Sequence, residues 1–201
     1  MIRYFKKAIP LSIIATGIMA SASFADTFTL RVGSGHPSKP TAYVTNMEKV
    51  LVPNIKKRVA AETNHKVRII EAYAGKIAKV HETLEAVEKG LLDIGSYCVC
   101  FETAKLLPWN FDYFVPFTTT NLETSWAVKH KVLKQFPYLT KMLEDKYNQK
   151  FIAMQGFDDY GLGTVKQWQK ANELKGVKVI AAGPNLSLIH ISEPTRPYSI
   201  A

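Results

Sequence analysis

From residue 27 polar and apolar positions alternate through Thr27, Phe28, Thr29, Leu30, Arg31 and Val32, then stop at Gly33-Ser34-Gly35-His36-Pro37. A period of two in β-branched and aromatic residues predicts a strand, and the glycine and proline cluster predicts the loop that ends it. The period then changes. Over residues 43–63, Val44, Met47, Val50, Leu51, Ile55 and Val59 recur at close to helical spacing, which predicts a helix that Pro53 kinks or divides. The pattern returns in the next forty residues or so. Residues 66–71 predict a second strand, 72–76 a loop containing glycine, and 80–89 a helix burying Leu84 and Val87 and closed by Gly90. Residues 91–97 predict a third strand.

Strands alternating with helices imply right-handed crossovers and a mainly parallel sheet, an α/β fold with helices on the sheet's faces. In such a sheet the loops at the carboxyl ends of the strands gather on one edge, where ligands bind. Here these loops are residues 34–39, 73–79 and 97–102. Beyond them comes an aromatic stretch with Trp109, Phe111, Tyr113, Phe114 and Phe117 between Pro108 and Pro116, then helical patterns over 122–135 and 138–147. Residues 150–154, 162–166 and 176–181 are further strand candidates, with a short polar helix expected over 168–174.

The first residues have a different character. Arg3, Lys6 and Lys7 precede an uncharged apolar run over residues 8–22 that ends in Ser23-Phe24-Ala25. A positive leader, a short apolar stretch and small residues before Asp26 predict a signal peptide over 1–25, cleaved to release a periplasmic protein. Composition is that of a folded domain, with 47% hydrophobic and 21% charged residues. The net charge is +9, and setting aside the leader and the last fifteen residues leaves +6. The lysines are scattered singly instead of forming patches interleaved with aromatics, so a nucleic-acid partner is not expected.

Sharper chemical motifs are weak. Cys98 and Cys100 are the two cysteines. Residues i and i+2 of a strand sit near the upper limit of Cα separation for a bridge, so the pair is expected as buried thiols unless the chain bends locally. His36 and His81 stand at no metal-ligand spacing from them, and no metal or other cofactor is expected. Gly33-Ser34-Gly35 completes no phosphate-binding pattern. Asp158-Asp159 and Glu82 with Glu85 are carboxylate pairs, expected on opposite strand faces and on a solvated helix face rather than in acid-base work.

The order of elements resembles a known family when taken with four motifs: Gly33-Ser34-Gly35-His36-Pro37, Glu71-Ala72-Tyr73-Ala74-Gly75-Lys76, His81 through Gly95, and Asp158 through Thr164 before Glu173-Leu174-Lys175-Gly176-Val177-Lys178-Val179. It is similar to the DctP-type solute receptors of tripartite ATP-independent periplasmic (TRAP) transporters. The likeness spans residues 26–186, and 82–95 is its most specific part. The resemblance implies a periplasmic solute-binding protein of two α/β lobes that close over a small organic solute, often an organic acid. The receptor, a monomer and no enzyme, hands the solute to the small and large membrane subunits of a sodium-coupled permease. A periplasmic hydrolase or lyase on a related α/β scaffold is the alternative.

On this likeness residues 26–155 form the first lobe and 156–186 the crossover toward an incomplete second lobe. Residues 187–201 lose the pattern and resemble the translation of a sequencing adaptor, and they are expected not to belong to the fold. Two positions where family members often carry a carboxylate-gripping arginine fall on Ile180 and Tyr160. That leaves Lys76, Lys79 or His36 as replacement charges, with Ser34 a further candidate in the first loop. Tyr73, Tyr97, Phe157 and Tyr160 are candidates for an aromatic lining.

Overall fold

The structure is a computed structural model that describes residues 25–115, 119–156, 164–165, 167–175 and 177. Strand β1 (Thr27–Gly33) pairs in parallel along its whole length with β2 (Lys66–Ala72), from Thr27 opposite Lys66 to Gly33 opposite Ala72. Its other side meets β3, which is only Ile94–Gly95, also in parallel, giving the order β2-β1-β3. This is the expected α/β arrangement of a parallel sheet flanked by helices.

The crossover from β1 to β2 is α1 (Ala42–Asn46), a π-helical turn (Met47–Leu51) and α2 (Val52–Glu62). Pro53 falls where α2 continues out of the π turn, Leu51 and Val52 being helical, so its missing N–H leaves a carbonyl of the preceding turn without that donor. The wider π turn lies where a proline ring would otherwise crowd the carbonyl four residues back. Side chains alternate across a strand, so Leu30 and Val32 meet Met47 and Val52 in one apolar cluster. Gly33 turns the opposite way, toward Leu92, which packs with Ala78 and Ala86.

After β2 the chain runs through a 3-10 turn (Val80–Glu82) into α3 (Thr83–Glu88), with Glu82 Oε2 accepting from the Lys79 N–H at 2.9 Å. Gly90 ends it in the left-handed region at φ 68°. The third strand is shorter than the residue pattern predicts. Leu91 and Leu92 donate their N–H groups back to the Ala86 carbonyl, which keeps them in the helix cap. At the other end Cys98 leads into a 3-10 turn (Val99–Phe101).

The aromatic stretch forms a 3-10 segment (Leu107–Phe114), followed by α4 (Leu122–Gln135) and α5 (Tyr138–Tyr147) at the expected positions. Asn121 caps α4 by accepting from the Thr124 N–H at 2.8 Å, and Pro137 separates the two helices. Leu84, Leu106, Trp109, Leu133, Leu139 and Leu143 make the larger core cluster. The strand expected over 150–154 is not a strand: that segment pairs with nothing in the sheet, because Phe151 and Met154 turn instead onto this cluster. The short helix expected over 168–174 is a 3-10 turn at Ala171–Leu174. Of the candidates over 162–166 and 176–181 only residues 164, 165 and 177 are described, none in a strand. Residues 1–24, all but the last of the segment expected as a signal peptide, and residues 187–201 lie outside the described residues, within which no helix is long and apolar enough to cross a membrane.

One ion pair fixes β3 against β1. Arg31 Nε and Nη2 each donate to the Asp93 carboxylate at 3.0 Å, and the Arg31 backbone N–H donates to the same group at 2.7 Å. The Arg31 side-chain hydrogen bond holds the Asp93 carboxyl below its usual range. A depressed acid stabilises the fold above its unfolded pKa of about 4 and loses that contribution as pH falls through the native value. Asp93→Asn is therefore expected to lower the urea midpoint at neutral pH, with the gap to the parent narrowing below about pH 4. Urea titrations of both proteins from pH 7 to 3 test this, and a gap independent of pH contradicts it.

Candidate functional site

The carboxyl ends of β1, β2 and β3 carry loops that touch one another through backbone. The Ser34 N–H donates to Ala72 O at 3.1 Å, Gly75 N–H to Ser34 O at 3.3 Å, Ala74 N–H to His36 O at 3.0 Å and Ser96 N–H to Gly33 O at 3.0 Å. Gly35 is set hard against the start of the helical segment that follows the second loop. A Cβ there would collide with the Val80 backbone, and its N–H donates to Thr83 Oγ1 at 3.2 Å.

This lattice aims a small set of side chains at one place. Ser34 is 1% exposed, and its hydroxyl accepts the His36 N–H at 3.2 Å. The Tyr43 hydroxyl, from the first turn of α1, hydrogen-bonds His36 Nδ1 and reaches the Ser34 side chain and the Cys98 backbone. Burial pushes the Tyr43 hydroxyl up to about 12, so it stays protonated across the ordinary pH range. His36 is held below its usual value by partial burial first and by His81 second, which favours the neutral ring at neutral pH. Phe101 lies between the two imidazoles, with ring centroids 5.2 Å from His36 and 5.3 Å from His81. His81 also faces the Phe101 carbonyl, 3.3 Å from Nδ1.

The cysteine pair departs from expectation. Cys98 and Cys100 form a disulfide with Cα atoms 5.2 Å apart. The bend that a bridge needs is the 3-10 turn that begins after Cys98, and the Cys98 sulfur also accepts the Cys100 N–H at 3.3 Å.

Beside the cluster opens a cavity of about 1470 Å³ that runs along the free edge of β3. Tyr43, Tyr97 and Cys98 line its near end, residues 148–156 its far wall, and Trp109, Trp126 and the Lys129–Asp112 ion pair, 2.6 Å long, its floor and side. The Tyr97 hydroxyl donates to Gln149 Oε1 at 3.0 Å, and Gln149 Nε2 donates to Leu84 O at 2.8 Å, so this residue ties the site to the core. Burial drives the Tyr97 hydroxyl pKa strongly upward. Beneath the 3-10 turn Glu102 is 5% exposed, with its carboxyl raised by burial, and Lys105 pairs with Glu85 and lies 3.6 Å from Glu102.

Of the residues expected from sequence, the fold gathers Ser34, His36 and Tyr97 at this edge. Tyr73 packs instead with the cluster under the π turn and donates to Glu71 Oε2 at 2.9 Å. Lys76 and Lys79 are exposed on the second loop. Phe157, Tyr160, Ile180 and the Asp158-Asp159 pair lie outside the described residues. Tyr43, His81 and Phe101 were not singled out by sequence reasoning. Tyr43 carried one usable signal, its place at the first turn of the helix after the glycine loop, which always faces the carboxyl edge. Among the described residues no group of three or more His, Cys, Asp or Glu side chains is placed to hold a metal ion. Compared with known proteins, the chain matches no family model, no curated protein and no solved structure.

The Tyr97 link to the core is testable by itself. Tyr97→Phe keeps the ring but leaves the Gln149 oxygen without its donor, an expected loss of about 1–3 kcal/mol. Chemical denaturation measures it, and a change under about 0.3 kcal/mol would show that water replaces the phenol without cost.

Proposed function

We propose that the chain is the first lobe of an extracytoplasmic solute receptor of the DctP type, which binds a small organic solute, an organic acid foremost, and delivers it to the membrane subunits of a TRAP permease. The observation that carries this reading is the convergence of the loops after β1, β2 and β3, with the first turn of α1, on one half-buried cluster. Tyr43 of that cluster also lines a roomy, largely apolar cavity. Its chemistry suits binding. Tyr43 and neutral His36 offer hydrogen bonds to a carboxylate or hydroxyl, Phe101 and Tyr97 offer ring surface, and exposed Lys76 and Lys79 supply positive charge from the second loop. The Ser34 hydroxyl is buried and accepts the His36 N–H, which favours a structural role over a nucleophile's. The apolar leader and the order of elements fit the same reading.

A single lobe supplies about half of an interlobe site, so its own affinity should be weak, with Kd about 1 mM or higher. Backbone-amide NMR of the chain titrated with acetate, succinate and benzoate reads such binding directly. Shifts concentrated at residues 34–36, 43 and 97–101 are expected for at least one acid, reduced in His36→Ala and Lys79→Ala. Shifts centred elsewhere, or none at tens of millimolar, contradict the assignment.

A further inference from the structure

The disulfide closes a loop of three residues, and so short a loop had little freedom in the unfolded chain to lose. It therefore contributes little to global stability, and its position needs another account. Cys98 sits where β3 becomes the site-lining loop. Its backbone meets the Tyr43 hydroxyl and its carbonyl accepts the Phe101 N–H at 3.1 Å. Cys100, 1% exposed, is anchored below, where its carbonyl accepts from Thr103 Oγ1 at 3.1 Å. The turn between them is held from the other side by Asn110 Nδ2, which donates to Val99 O at 3.0 Å.

We propose that the Cys98–Cys100 bridge is a redox clamp on the candidate site: closed, it holds Phe101 between His36 and His81, and opened by a dithiol, it releases that wall while the rest of the fold stays intact. The proposal rests on reading this edge as the solute site, and it adds a control that the reading does not contain.

Access sets the order of events. Cys98 lines the cavity and Cys100 is buried, so an external thiolate reaches Cys98 Sγ. The Sγ–Sγ bond breaks, the Cys100 sulfur leaves as thiolate and takes a proton, and a mixed disulfide forms at Cys98. The second thiolate of the dithiol attacks the reagent sulfur, Cys98 departs and is protonated, and the dithiol leaves as its cyclic disulfide. Two electrons and two protons pass from dithiol to protein. Without the bridge the turn is restrained by its hydrogen bonds and by the packing of Val99 on the core, and Phe101, beyond both, gains freedom to leave the imidazoles.

The test uses the full chain in three forms: oxidised, reduced with dithiothreitol, and the double variant Cys98→Ser with Cys100→Ser. Alkylation with mass readout should find no free thiol in the oxidised protein and two after reduction. Chymotrypsin cleavage after Phe101 should accelerate at least tenfold in the reduced and variant forms, with the thermal midpoint nearly unchanged, and reoxidation should restore resistance. Two alkylatable thiols before reduction, an unchanged cleavage rate, or global unfolding on reduction would each overturn the clamp. Faster cleavage in a protein that binds none of the acids would support the clamp and sink the solute reading instead, so the two failures are separable.

Discussion

Two glycines let the chain approach itself more closely than a side chain permits, and the site is assembled around that approach. At Gly33 a Cβ would fall 2.5 Å from the Ala72 carbonyl oxygen, and at Gly35 it would strike the Val80 backbone. With hydrogen there instead, the first loop lies flat on the second and the Gly35 N–H reaches Thr83. Everything downstream uses this contact. It sets the direction in which His36 leaves the loop, and so whether its ring meets Tyr43 from α1 and Phe101 from the third loop. Short parallel strands are adequate for such a scaffold because the loops, and not β3, hold the edge together.

The surroundings of the cluster are polar groups drawn into partly dry space, and each is held by a named partner. Tyr97, Gln149 and the Leu84 carbonyl form a chain from cavity wall to core. Asn110 donates to both Val99 and Leu106 carbonyls, so the aromatic segment and the third loop share one side chain. Three carboxylates are the exceptions, Glu85, Glu102 and Asp112 each burying one oxygen without a hydrogen-bond partner, and at Glu102 burial favours the neutral form. A rigid frame of this kind leaves little conformational freedom to be lost when a solute settles against it, which favours binding.

Periodicity carried most of the architecture. The two strands of period two, the crossover helices and the paired helices α4 and α5 were legible because their patterns are long and bounded by glycine, proline or a capping asparagine. The failures share a cause. Residues 91–97 and 150–154 have the composition of strands, yet tertiary hydrogen bonding at Ala86 and packing of Phe151 and Met154 decided them. The disulfide was missed because Cα geometry was judged on a straight strand, and the chain bends after Cys98. Ser34, His36 and Tyr97 could be placed at the carboxyl edge through their loops. Tyr43, His81 and Phe101 were not so placed, because a ring on a helix or turn carries no local mark of the partners that a distant loop will bring to it.

If the glycine-permitted contact assembles the site, one substitution should take the cluster apart without unfolding the protein. The most direct measurement is the NMR titration of the His36 ring in the parent and in Gly35→Ala, with circular dichroism as the check on folding. The account predicts that the substitution pushes the first loop off Val80, carries His36 away from Tyr43 and Phe101, and moves its titration midpoint upward toward that of an exposed histidine while the helices persist. An unchanged midpoint in a folded Gly35→Ala protein would contradict it.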